Sequence, residues 1–281
     1  MTTFDEVYKL NPTAIKVLDY GFVVLTDIMG SDSDIAQAAR TSYGKGTKKL
    51  SDDISLIRYL FRKQHTSPIE MAELKFMLKM PIFVARQHVR HRTASLNEYS
   101  ARYSIMSDEC YLPELERFQK QHITNKQASG DAIELYVANN IRETMENSYR
   151  TAYDNYTYAL DEGLSRELAR IQLPVAQYTE MYWKIDLKNF FNYVKLRMDE
   201  KDAQTEIVAY ADAMYNLVKP LFPITCQAFE DYWLNSRTFS VIELELLGSC
   251  LMKHLDVELI ECDKMSKNEL NDFRRTLEEL I

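Results

Sequence analysis

The run Leu74-Lys-Phe-Met-Leu-Lys-Met80-Pro81-Ile-Phe-Val-Ala-Arg86-Gln-His-Val-Arg90-His-Arg92 changes its period half-way. Leu74, Phe76, Leu78 and Met80 alternate with Glu73, Lys75, Met77 and Lys79, the pattern of a half-buried strand. Pro81 ends that strand and suits the first turn of a helix, in which Ile82, Phe83, Arg86 and Arg90 recur at helical spacing. A strand therefore runs straight into a helix, and a polar segment follows. Between Arg86 and Tyr103 that segment holds four arginines and two histidines, in a chain whose formal net charge is −8. Arginine forks bind oxyanions bidentately and keep their charge. Such a concentration on an acidic protein points to a pocket for a small anion, at a strand-to-helix edge where ligand pockets are common.

Outward from this run, Phe22-Val-Val-Leu25 reads as another strand, and Ser31 to Asp34 offers N-caps for a short helix through Arg40. Ser51 is expected to cap the next helix, with Asp52 and Asp53 in its first turn and Ile54, Ile57, Leu60 and Phe61 as its stripe. Ser67-Pro68-Ile69-Glu70 has the spacing of a capping box with proline at the first helical position. Residues 105–130 read as a polar surface excursion. Asp131 is expected to cap a long helix to about Glu162, with Ile133, Val137, Ile141, Met145, Tyr149, Tyr153 and Tyr156 as a core or subunit-interface stripe. Gly163 stops it and Ser165 restarts a short helix through Arg170. Thr179, Met181, Trp183 and Ile185 predict a strand over 177–185, and Asp186 caps a helix to Arg197. Asp202 is expected to cap the next, with Ile207, Tyr210, Met214 and Leu217 inward. The tail reads as helices, with a capping box at Ser266 and Glu269. The expected fold is α+β, a helix-rich domain over residues 1–235 with a helical C-terminal extension over 236–281.

Composition excludes several classes. Neither GxGxxG nor GxxxxGK[ST] occurs, and Gly44 and Gly46 are the only close glycine pair, so phosphates must be held by side chains and helix ends. Cys110, Cys226, Cys250 and Cys262 are scattered without a CxxC pair, which argues for reduced thiols and no metal site. No signal-peptide pattern or membrane-length apolar run is present, so a cytoplasmic protein without membrane contact is expected. A pI near 5.3, with the basic residues confined to one stretch, disfavours an RNA-binding module.

Arg90-His-Arg92, seven residues and then Ser100 matches the RHR-x7-S signature, and the run through Arg102-Tyr103 resembles the flavin-dependent thymidylate synthases at nearly every fixed position. Ala39-Arg-Thr-Ser-Tyr43, His65-Thr-Ser-Pro68, Pro81 to Gln87, Ala169 to Pro174 and Asn192 to Arg197 are similar to segments of that family in the same order. The likeness spans about residues 15 to 235. It implies a thymidylate synthase-complementing-protein-like fold with a small, mainly antiparallel sheet. It further implies reductive methylation of dUMP to dTMP, with methylenetetrahydrofolate as carbon donor, FAD as redox carrier and NADPH as reductant, in a homotetramer with shared active sites. By this resemblance Gln87, Arg90, Glu98, Ser100, Ala101, Arg102 and Arg170 surround dUMP, and Arg197 is the catalytic arginine at the uracil ring. His65, Ser67, Glu70, Arg90, His91, Arg92, Glu98, Asp186, Lys188 and Asn192 fall at FAD positions.

For His91 a structural role and a direct one both stand; His88, His122 and His254 match nothing and are read as structural. Ser100 has no evident base beside it and is read as a nucleotide ligand rather than a nucleophile. The chain departs from the family at Asp186, usually Asn, and at Lys188, usually Arg. An Asp lacks the amide donor, so its reading as an N-cap gains weight. The loop after Arg197 is one residue longer before Ala203-Gln204 and lacks a histidine often found there. A flavin-binding homologue without catalysis is the alternative that these departures leave open.

Overall fold

The computed structural model describes residues 1–41, 52–121, 129–199, 201–251 and 265–280, with the side chains of 129, 249–251 and 278–280 outside that description. Gly44, Gly46, the cap expected at Ser51, His122, most of the Asn125 run, His254, Cys262 and the Cys250 side chain lie outside it. The described chain forms two compact units, Met1–Leu234 and Asn235–Ile281.

The first unit opens with α1 (Phe4–Leu10), then β1 (Ile15–Val17), β2 (Gly21–Met29), α2 (Asp32–Arg40) and α3 (Asp53–Arg62). The predicted period switch follows: β3 (Glu73–Pro81) runs directly into α4 (Ile82–His88). A short edge strand, β4 (Ser95–Glu98), then leads to the hairpin β5 (Gln119–Gln121) and β6 (Ser129–Ala132). Next come α5 (Leu135–Asp161), α6 (Arg166–Ala169), β7 (Tyr178–Asp186), α7 (Leu187–Arg197), α8 (Thr205–Val218) and α9 (Pro223–Phe229).

Five strands make one sheet in the order β1-β2-β3-β7-β4, every pair antiparallel. Alternation decides which face is dry. Leu74, Phe76, Leu78 and Met80 of β3 and Met181, Trp183 and Ile185 of β7 are buried in one cluster with Phe190, Phe191 and Tyr193 of α7 and Ile207, Tyr210 and Met214 of α8. The opposite face carries a smaller cluster, Val7, Ala14, Phe22 and Val24, with Phe4 and Met77 against it. Helices α4 and α7 thus each leave the end of an adjacent central strand, and their C-termini converge over the sheet.

Local reading and structure part company at several caps. Asp52, one residue after Ser51, caps α3 by accepting from Ser55 N, and Ile54 is exposed while Leu56 is buried. Ser67 makes no cap: Ile69–Met71 forms one 3-10 turn. Asp131 lies in β6, and α5 begins four residues later after Glu134, without a side-chain cap. Pairing of β6 with β5 competes with helix at that point, and a capping side chain alone cannot outweigh a strand ladder. Along α5 only Ala138 and Tyr156 are buried, whereas Val137 and Ile141 stand exposed. Gln204, not Asp202, precedes α8. Asp186 caps α7 as expected.

The second unit contains α10 (Val241–Leu251) and α11 (Lys267–Leu280), which touch each other. Ser266 and Glu269 form the expected reciprocal cap, with Ser266 N donating to Glu269 at 2.8 Å and Glu269 N to Ser266 Oγ at 3.3 Å.

Candidate active site

The convergence of α4 and α7 puts Arg197 and His91 together. Arg197 Nε donates to His91 Nε2 at 3.1 Å, and Arg197 Nη2 reaches the Gln87 carbonyl at 3.4 Å. Accepting at Nε2 requires a neutral imidazole with its proton on Nδ1. Burial, reinforced by the Arg197 charge, supports that state by pushing the His91 pKa down to about 4. The Nδ1–H then remains a donor. Gln87 extends its amide to Gln204 Oε1 at 2.5 Å, which ties α4 to the start of α8.

Behind this pair lies an aromatic box. The His91 ring is edge-on to Tyr193 at 4.8 Å, and His88 lies 4.4 Å from Trp183 and 5.0 Å from Tyr193. His88 is fully buried, and among the described residues neither of its nitrogens, nor the Tyr193 hydroxyl, has a hydrogen-bond partner. Burial first, then the nearby His91 and Arg197, pushes the His88 pKa down to about 3. Its ring packs among the core aromatics, the environment expected of a structural histidine.

The nucleotide-assigned residues fall in separate groups. Glu98 stands on β4 at the sheet edge, where Thr179 of β7 donates to its Oε1 at 2.8 Å. Ser100, Ala101 and Arg102 form the following turn; Arg102 N donates to Ser100 Oγ at 3.4 Å. Arg102 also borders a cleft of 610 Å³ whose walls include Tyr103, Ile105, Leu164 and Glu167. Its Nη2 pairs with Glu167 Oε2 at 3.0 Å. Arg170 sits in the 3-10 turn after α6 and, among the described residues, has no carboxylate partner.

The flavin-assigned residues divide likewise. Asp186 accepts at Oδ1 from Asn189 N, 2.9 Å, and at Oδ2 from Asn189 Nδ2, 2.7 Å. Lys188 and Asn192 both turn toward Asn189 Oδ1, at 3.4 and 3.3 Å. His65 is exposed and edge-on to Tyr59 at 5.7 Å; Ser67 is exposed and Glu70 half-buried. Arg90 and Arg92 are exposed, with no acidic partner among the described residues. The guanidinium groups of Arg90 and Arg92, the His91 Nδ1–H and the Asn192 amide are all donors, the chemistry that phosphates and ring carbonyls accept from. Asp186 adds no donor to this set, because a carboxylate only accepts; its two oxygens accept from Asn189. No hydrogen bond or ion pair among the described residues joins the Arg197, Glu98, Arg102 and Asp186 groups.

Sequence reasoning missed three partners: Thr179 behind Glu98, Gln204 beside Gln87, and Glu167 on Arg102. Each lies on a different element from the residue it holds, and the separations of 65 to 117 residues leave no local spacing to detect. Gln204 alone had a signal, because it ends the loop that differs from the family. Among the described residues no helix is long and apolar enough to cross a membrane, and no group of three metal-ligating side chains forms.

The family described as thymidylate synthase complementing protein matches residues 24–224. The chain is 46% identical over 266 residues to a flavin-dependent thymidylate synthase of Wolbachia pipientis wMel, covering 95% of this chain and 90% of the relative. It is 47% identical over 263 residues to a protein of the same description from Dictyostelium discoideum, covering 90% and 86%. Among solved structures it is similar to the UMP/dUMP methylase PolB from Streptomyces cacaoi bound with 5-Br UMP. That likeness has a TM-score of 0.70 and 30% identity, over 79% of this chain and 99% of the other.

Proposed function

The chain belongs to the thymidylate synthase complementing protein family, and from that premise we propose that it methylates dUMP to dTMP as a flavin-dependent thymidylate synthase. The observation that carries this reading is the Arg197–His91 pair. A permanent cation is held by a neutral imidazole at the junction of the two helices that bear the matched segments. At the uracil ring such a cation stabilises negative charge developing as the base loses its N3 proton, and an already oriented group does so without reorganisation. His91, kept neutral, anchors Arg197 without adding a second charge.

The remaining residues bind and orient. Glu98, steadied by Thr179, and Gln87, steadied by Gln204, are suited to the nucleotide's polar edges; Ser100, the Ala101 backbone, Arg102 and Arg170 to its phosphate. Arg90 belongs to both ligand sets. His65, Ser67, Glu70, His91, Arg92, Lys188 and Asn192 are the residues suited to FAD. Bound FAD supplies the redox chemistry that takes a one-carbon unit from methylenetetrahydrofolate to the methyl level, with NADPH as reductant. Asp186 is assigned to the helix cap, not to the ring. The exposed Leu135, Tyr136, Val137 and Ile141 at the start of α5 support a subunit contact there, and the family resemblance implies a homotetramer in which subunits complete one another's sites. The residues after 235 form the extension, and a cytoplasmic location accords with the small-molecule substrates.

Purified protein tests this directly by dUMP-dependent NADPH oxidation, with and without methylenetetrahydrofolate. Turnover to dTMP is expected. A colourless protein that takes up no FAD would overturn the reading; bound flavin that NADPH fails to reduce, even with dUMP, would favour the inactive homologue.

A further inference from the structure

We infer that Glu167 sets how tightly this site holds a 5′-phosphate, by occupying the edge of Arg102 that the phosphate needs. The inference rests on the proposed function, which makes Arg102 a phosphate ligand. Arg102 Nε donates to Oε2 of Glu167 at 3.1 Å, and Nη2 lies 3.0 Å from the same oxygen. That Nε/Nη2 edge is one of the forks with which a guanidinium grips an oxyanion. The carboxylate is thus an internal anion, seated where the external one should bind.

Its position is not accidental to one rotamer. The neighbouring Arg166 donates Nη1 to the Tyr103 carbonyl at 2.8 Å, so consecutive residues of α6 grip the Ser100–Ser104 turn at two points. While that grip holds, Glu167 stays beside Arg102. Both side chains border the same 610 Å³ cleft, together with Asp161 and Arg166, so its two cations are already balanced by two carboxylates.

The pair is also easily broken. Arg102 is 52% and Glu167 59% exposed, and a hydrated ion pair of this kind is weak. A phosphate dianion brings more charge and more acceptor oxygens than the carboxylate and can displace it. A singly charged group gains little over what Glu167 already provides. Glu167 therefore acts as a charge threshold, favouring the nucleoside monophosphate dianion over weaker anions at some cost in affinity.

The experiment is calorimetric titration of the FAD-loaded protein with dUMP, for wild type, Glu167→Gln, Arg102→Ala and the double variant. Glu167→Gln is nearly isosteric and exposed, so an unchanged melting temperature is the folding control. It is expected to bind dUMP about 2- to 5-fold more tightly, the scale of an exposed ion pair. The gain should vanish in the Arg102→Ala background, and inorganic phosphate should compete with dUMP more effectively in Glu167→Gln than in wild type. Equal or weaker dUMP binding by Glu167→Gln would overturn the inference and make Glu167 an orienting partner of Arg102. A gain that persists without Arg102 would also overturn it, since the effect would then be diffuse charge. Failure of every variant, wild type included, to bind dUMP would instead overturn the functional reading itself.

Discussion

Arg197 Nε and His91 Nε2 lie 3.1 Å apart, so the last residue of α7 is locked to the turn that follows α4, more than a hundred positions earlier in the chain. The lock has a direction: the guanidinium donates and a neutral imidazole accepts. Arg197→Ala should accordingly abolish dTMP formation while leaving FAD bound, read as retained flavin absorbance after gel filtration. Near-normal turnover in that variant would remove Arg197 from the mechanism.

Acid should loosen the aromatic box before it reaches the surface carboxylates. In the unfolded chain His88 takes up a proton near the ordinary 6.5, but in the fold only near 3. Between those values the unfolded chain binds more protons, so stability falls as pH drops through this window and is level above it. At about 1.4 kcal/mol per pH unit, the full effect is of order 5 kcal/mol, with a smaller contribution from the half-exposed His91. His88→Phe retains an aromatic ring and removes two unpartnered buried nitrogens. It should match or exceed wild-type stability at pH 5 in urea unfolding, with a flatter pH dependence; parallel curves would refute the assignment.

Asp186→Asn separates the capping role from the cofactor. Asn and Asp are comparable N-caps, so the melting temperature should hardly move, whereas Asp186→Ala should cost about 1 kcal/mol. The new amide supplies a donor that the carboxylate lacks, and FAD affinity measured by fluorescence quenching should rise. An unchanged FAD affinity would show that this edge of the site does not touch the ring.

Arg102→Ala should weaken dUMP binding by roughly 1.5–3 kcal/mol, the usual scale for a hydrogen bond to a charged group. Isothermal titration with dUMP reads this directly, and unchanged affinity would put the phosphate elsewhere.

Gly21→Ala tests the close approach of β1, β2 and α8. A methyl there would overlap the Tyr210 hydroxyl and come within 2.6 Å of the Val17 carbonyl and 2.8 Å of the Lys79 carbonyl. Overpacking of this kind costs about 1–3 kcal/mol or more, to be measured as a lowered urea midpoint.

The chain's own pattern was enough for the elements that carry a strong period. β3, β7 and α7 fall within a residue or two of their expected bounds, because alternation and 3.6-fold spacing are local consequences of which face is dry. The Asp186 cap was equally legible. Caps at Asp131 and Asp202 were not, since a capping side chain is only one small term, and in the first case strand pairing claimed the same residues. The edge strand β4 was read only as a polar segment: all four of its residues are exposed, so it has no apolar face to announce it.

Sequence by itself was enough for the family, through the RHR-x7-S run, and it put forward Glu98, Arg102, Arg170 and Arg197 as candidate site residues. Only the tertiary structure decided how those side chains are held. It set Arg197 on His91, Glu98 under Thr179 and Arg102 against Glu167, and it turned Asp186 into its own helix. The physical reason is range. Strand and helix periods act over a few residues, but a hydrogen bond needs about 3 Å between atoms whose separation along the chain carries no local trace.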